Sequence, residues 1–127
     1  VTRLVPALAA LLAAATLAGC GPRYQTIVFE LRSQPPIPVR LGADEIEIPV
    51  GIAVSVHARL ESSSNIEFVP DDALDLDSED RGILAADPTP GSHNFVFVGV
   101  AVGETCLTVE VEYEDEECIP VRVTAPG

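Results

Sequence analysis

The chain has 127 residues, a formal net charge of -13, and a basic complement made entirely of seven arginines. Such a surface repels nucleic acid and anionic headgroups, since both are polyanions, and nucleic acid is excluded as a partner. An apolar content of 47% argues against disorder, and with no tryptophan the one compact core must be built mostly from Val, Ile, Leu and Ala.

The first element is a leader. Arg3 supplies a positive start, and Leu4 to Ala18 is an uncharged apolar run of fifteen residues. As a helix it would reach ~22 Å, short of the ~30 Å hydrocarbon core, which suits an export signal better than a permanent span. The run ends in Leu17-Ala18-Gly19-Cys20. These four residues resemble the lipobox of bacterial lipoproteins. The small residues Ala18 and Gly19 let an extended backbone enter a membrane peptidase, and the Cys20 sulfur can carry a diacylglyceryl group. The resemblance implies a signal peptide over 1–19, cleavage before Cys20, a lipid-anchored tether over 20–25 and a membrane partner held through acyl chains such as palmitate. By the enterobacterial sorting rule, Gly21 points to the outer membrane, on its periplasmic face or at the cell surface. The alternative is an ordinary secretory signal cleaved near Ala13-Ala14-Ala15, with Cys20 left as a thiol.

From residue 26 onward the pattern has period two. Thr26 to Leu31 is rich in β-formers. Ser33 to Pro38 holds three prolines and reads as an extended connector. Glu45 to Val50 alternates, and Ala53 to Leu60 sets Val54, Val56, Ala58 and Leu60 on one face. Ser62-Ser63-Ser64-Asn65 is a turn and Ile66 to Val69 a short strand ended by Pro70. In the acidic stretch Asp71 to Gly82, Leu74 and Leu76 alternate with Asp75 and Asp77, as in a short edge strand. Asp87 to Ser92 is a turn. Asn94 to Val102 is the most hydrophobic strand, with Gly99 marking a bulge or close backbone approach. A turn at Gly103-Glu104 leads to a strand over Thr105 to Tyr113, an acidic tip at Glu114 to Glu117, and a last strand over Cys118 to Thr124. These last three strands read as a meander. The expected fold is a single all-β, Ig-like antiparallel β-sandwich of seven to nine strands over 26–125, preceded by the helical signal peptide.

Val100-Ala101-Val102-Gly103-Glu104-Thr105-Cys106-Leu107-Thr108-Val109 and the closing Val121-Arg122-Val123-Thr124 are similar to bacterial Ig-like domains. That resemblance implies a non-catalytic spacer, adhesion or ligand-presenting module acting on an envelope protein or surface ligand. Gly91 to Tyr113 also resembles the late strands of chagasin-type cysteine-peptidase inhibitors. Their inhibitory Asn-Pro-Thr-Thr-Gly loop has no counterpart, and Ser62 to Asn65 stands in a comparable place.

Three sites bear on chemistry. With Cys20 lipidated, Cys106 and Cys118 form an even pair in an oxidising compartment. A tip at Glu114–Glu117 sets Tyr113 opposite Cys118, leaving Cys106 more than ~20 Å along the strand, beyond disulfide reach. A disulfide, two thiols and an intermolecular bridge therefore all stay open. Asp75, Asp77 and Glu79 have the one-three-five spacing of a calcium loop, but Asp80 sits where such a loop takes glycine and no Glu fills the twelfth place. The bland reading is a solvated acidic edge that discourages strand pairing. His57 and His93 fit no zinc pattern, and His57 falls on an exposed face. No nucleophile elbow, phosphate loop or dinucleotide motif occurs, so the chain reads as a non-enzyme without a cofactor.

Overall fold

The computed structural model describes residues 24–62, 74–112 and 114–126. The leader, the lipobox with Cys20, residues 63–65 of the Ser/Asn turn, the strand expected at Ile66 to Val69 and Tyr113 all lie outside these residues. Among the described residues there are nine strands: β1 (Tyr24–Leu31), β2 (Arg40–Leu41), β3 (Ile46–Pro49), β4 (Ala53–Ser62), β5 (Leu74–Ser78), β6 (Leu84–Pro88), β7 (Asn94–Gly99), β8 (Gly103–Val111) and β9 (Glu117–Thr124).

They form a four-stranded sheet, β1-β4-β7-β6, facing a five-stranded sheet, β2-β3-β9-β8-β5. Period-two alternation explains the core. Val54, Val56, Ala58 and Leu60 of β4 are buried, and so are Leu107, Val109 and Val111 of β8 and Ile119, Val121 and Val123 of β9. Ile46 and Ile48 of β3 are fully buried between the sheets. Phe97 of β7 is fully buried as well, and its ring meets Phe29 edge to face at 5.8 Å.

Four expectations are corrected. The pairing is not wholly antiparallel: β3 runs parallel to β9, Ile46 opposite Val121 and Pro49 opposite Thr124. The last three strands are not one meander, because β7 belongs to the four-stranded sheet while β8 and β9 pair in the other. Alternation alone cannot choose the sheet, since an inward-facing row fits either one. The hydrophobic strand stops at Gly99 rather than Val102. Beyond it the amides of Val100 and Ala101 turn to the carbonyl of Ile83, at 2.8 and 3.3 Å, so the chain crosses between sheets. Gly103, expected in a turn, instead begins β8.

The crossing defines one end of the sandwich. Gly51 N donates to Gly99 O at 2.8 Å, and Val50 N donates to Thr124 O at 2.8 Å. Val50, Gly51, Ile52, Val100, Ala101 and Val102 give this end an apolar patch, with Val100 and Val102 exposed, beside the turn of Asp80 and Arg81 that leads into Ile83. Both β4 and β8 start there and run the length of the molecule. The opposite end therefore gathers Tyr24, Ser62, Leu74, Val111 and the acidic loop that follows β8.

Candidate functional site

The outer face of the five-stranded sheet carries the acidic residues singled out in the sequence. Burial of Leu74, Leu76, Val109 and Val111 sets the register of β5 against β8. The same register turns Asp75, Asp77, Thr108 and Glu110 outward and places Asp75 directly opposite Glu110. Glu116 joins them, and the acidic groups line shallow clefts of ≈ 350 and ≈ 530 Å³. Partial desolvation at the sheet surface pushes the Glu110 carboxyl up, and the negative field of Glu116, Asp75 and Asp77 and a hydrogen bond with Glu116 push it further.

A raised folded value means that Glu110 holds its proton more tightly folded than unfolded. Its contribution to stability is complete below the unfolded value of 4.5 and is lost as pH rises through the folded value. At neutral pH the ionised group works against the fold. Glu110→Gln should therefore raise the thermal midpoint at pH 7 in low salt. The gain should shrink in molar salt and vanish below pH 4.5. A pH series of melting curves for the two proteins checks this, and an equal gain at every pH would refute it.

The calcium-loop spacing does not produce a loop. Asp75 and Asp77 lie on extended β5, an edge strand, with Glu79 just past its end. Alternate side chains of a strand stand ~6.6 Å apart along it and do not wrap an ion. Among the described residues, no three His, Cys, Asp or Glu side chains are grouped to hold a metal.

Cys106 and Cys118 are brought together on this same outer face and joined by a disulfide, with Cα atoms 5.4 Å apart. The ladder corrects the expected register. Thr108 pairs with Cys118 and Cys106 with Pro120, so the cysteines are diagonal neighbours. β8 continues to Val111 against β5, whereas β9 begins at Glu117 opposite Val109. The connection is thus longer than a symmetric acidic tip, which shortens the distance between the cysteines. Both sulfurs are bonded, so neither is a thiol nucleophile.

The outer face of the four-stranded sheet is different. Arg59 bridges Glu30 and Glu61, and Arg81 clamps Asp87 through both carboxylate oxygens at 2.8 and 2.9 Å. These half-exposed pairs add little stability but hold positions. His57, expected to be exposed, is half-buried. Its Nδ1 lies 2.9 Å from Asn94 Oδ1, while Asn94 Nδ2 donates to Pro90 O at 3.0 Å. The His93 ring stacks near it, centroids 6.4 Å apart. The β4–β7 register sets Asn94 opposite His57 and the β6–β7 turn adds His93, and no local pattern in the sequence announces this meeting. A Cys–His–Asn arrangement would need a thiol at this ring, but Cys106 and Cys118 belong to the other sheet.

Comparison with solved structures shows a β-sandwich resembling the Ig-like domains of the S-layer protein SbsC. The crystal structure of its domains 4 and 5 superposes with a TM-score of 0.54 at 18% identity, covering 83% of this chain and 54% of that one. The structure of domains 5-6 gives 0.57 and 18%, covering 84% and 47%. That of domains 1-6 gives 0.56 and 18%, covering 84% and 14%. The chain thus spans about half or less of these structures, and at this identity the likeness defines the fold. No protein-family model and no curated protein matches the chain.

Proposed function

We propose that this protein is a non-catalytic module of the bacterial cell envelope, anchored by lipid on Cys20, whose Ig-like sandwich serves a structural or binding role. The placement of the chain ends supports this best. β1 begins with Tyr24 at the acidic end, and β9 finishes with Thr124 at the opposite end. Residues 20–23 reach at most ~14 Å, so an anchor at Cys20 keeps the acidic end near the bilayer. There, Glu112, Glu114 and Glu116 stand off from anionic headgroups. The sandwich projects roughly 26 Å outward, the span of the eight residues of β1. A disulfide on the solvent face fits an exported location. The likeness to domains of a surface-layer protein supports the same class of role.

Fractionation tests the anchor. The wild-type chain should sediment with membranes and enter a detergent phase, while Cys20→Ser stays in the aqueous fraction. Mass spectrometry should find the mature amino terminus at Cys20 carrying acyl mass. An unmodified Cys20 peptide in the wild type would end the lipoprotein reading.

A further inference from the structure

We propose that the open edge of β1 is a docking site for an extended segment of another envelope protein, added antiparallel as a further strand of the four-stranded sheet. Among the described residues β1 lies at the border of that sheet, with β4 on one side and no strand on the other. The ladder decides which groups face outward. Arg32 N donates to Ser55 O at 2.7 Å, and Leu31 stands opposite Val56. On the far side of β4, Ala58 N donates to His93 O at 2.9 Å. Alternate residues of an antiparallel strand bond to opposite sides, so Val28 and Glu30 bond to β4. The amides and carbonyls of Ile27, Phe29 and Leu31 then project from the open edge. The Thr26 hydroxyl approaches the Ile27 carbonyl at a long 3.5 Å, which leaves a lone pair open.

The other three borders are guarded. β2 has only two residues. β5 turns Asp75 and Asp77 outward, and such charge discourages edge pairing. β6 is closed group by group. Leu84 N donates to Asp80 O at 3.1 Å, Ala86 O accepts from Arg81 at 3.0 Å, and Pro88 has no amide to offer. β1 runs for eight residues without a proline. Its neighbouring charges cancel, because Glu30 is bonded by Arg32 and Arg59, and Arg59 also holds Glu61. On a chain of net charge -13, this long edge has no repelling field of its own.

The inner row of β1 defines what the occupant carries. Exposure rises from Ile27 at 5%, through half-buried Phe29, to Leu31 at 44%. β5 packs against β6 on the opposite flank, so β1 and β2 border one seam between the sheets. Phe29, Val39 and Leu41 are only partly buried there. Opposite side chains of an antiparallel pair share a face. Residues bonded to Ile27, Phe29 and Leu31 therefore point into the seam and are apolar. The alternate ones face solvent and are uncharged, matching the balanced charge beside them. A second copy is a poorer occupant. Antiparallel pairing of two β1 strands sets their Tyr24 ends apart, so two chains anchored at Cys20 could not both keep their acidic ends at one bilayer. That choice of occupant rests on the lipid anchor, whereas the open edge does not.

The probe is a short capped peptide of alternating threonine and valine with a lysine at each end. It is titrated into the full chain in phosphatidylcholine nanodiscs and followed by amide exchange and ¹H–¹⁵N NMR. Amide exchange reads the edge with or without lipid on Cys20, so a failed anchor and a failed docking are told apart. In the free protein the amides of Ile27, Phe29 and Leu31 should exchange about ten-fold or more faster than those of Val28 and Glu30. Saturating peptide should slow these three by a similar factor and shift Val39 and Leu41. N-methylation of the valine amides, which face β1 when valine enters the seam, should abolish protection. N-methylation of the threonine amides should leave it intact. Leu31→Pro replaces an amide that bonds nothing in the sheet, so it should weaken binding about ten-fold while the domain stays folded. The methylated peptides keep the test on the wild-type chain if that variant folds poorly. Edge amides already slow in the free protein would overturn the proposal, as would binding indifferent to valine methylation or no protection at millimolar peptide. Shifts confined to the acidic face or to Val100 and Val102 would overturn it too. Edge protection that grows with protein concentration alone would make a second copy the occupant and equally refute it.

Discussion

Gly99→Ala should destabilise the domain by about 3 kcal/mol, the upper part of the range for an overpacked core. A Cβ at this position would meet Pro49 O at 2.6 Å and Val123 Cγ1 at 3.1 Å. The first contact is with backbone that has no rotamer to yield. Pro49 lies in β3, tied to β9, and Gly99 itself is bonded on both sides, its amide to Ile52 O at 3.0 Å and its carbonyl to Gly51 N. Neither chain can move without breaking the turn that closes the sandwich. Alanine gains about 0.5–1 kcal/mol over glycine in a strand from unfolded-chain entropy, too little to offset that clash. Urea unfolding of the two proteins checks the result, and a midpoint at or above wild type would disprove the close approach. Leu84 is opposite Gly99 on β6, so Leu84→Ala in the same background does not relieve the clash, which comes from β3.

Gly99 also shows what was legible in the sequence. A glycine amid Asn94-Phe95-Val96-Phe97-Val98 signals a bulge or close approach, and the structure holds the approach. The faces of β4, β8 and β9 were legible for the same local reason, since burial of one face forces alternation. β6 was not. Leu84-Ala85-Ala86-Asp87-Pro88 lacks β-formers, and its extension is imposed by pairing with β7 at a sheet edge, where Pro88 is tolerated. The parallel pairing of β3 and β9 is equally silent, because their separation along the chain says nothing about direction. The same blindness hid the histidine pair. Alternation placed His57 on the polar face, but only the β4–β7 pairing and the turn before β7 bring Asn94 and His93 to it. The cysteine register failed for a subtler reason: alternation runs unbroken through Val111, yet past Val109 it serves pairing with β5 and no longer with β9.

Removing the disulfide by the double change Cys106→Ser and Cys118→Ser should cost a similar amount by an opposite route. The bond closes a loop with a sequence separation of 12. Loop-closure entropy for that size gives about 3 kcal/mol. A domain of roughly 100 residues loses about 4–8 °C of melting midpoint per kcal/mol, so a fall of roughly 15 °C is expected. Little of this comes from the folded state. Cys118 is exposed and Cys106 half-buried, so serine leaves no cavity, and the β8–β9 ladder from Gly103 to Val109 still holds the hairpin. The cost lies in the unfolded chain, which gains freedom when the link is cut. Urea titrations separate the two mechanisms. Without the link the unfolded chain expands and exposes more surface, so the slope of free energy against urea should steepen as the midpoint falls. Gly99→Ala, acting on the folded state, should lower the midpoint at constant slope. A double cysteine variant with the wild-type midpoint would mean that the bond does not form in the folded protein.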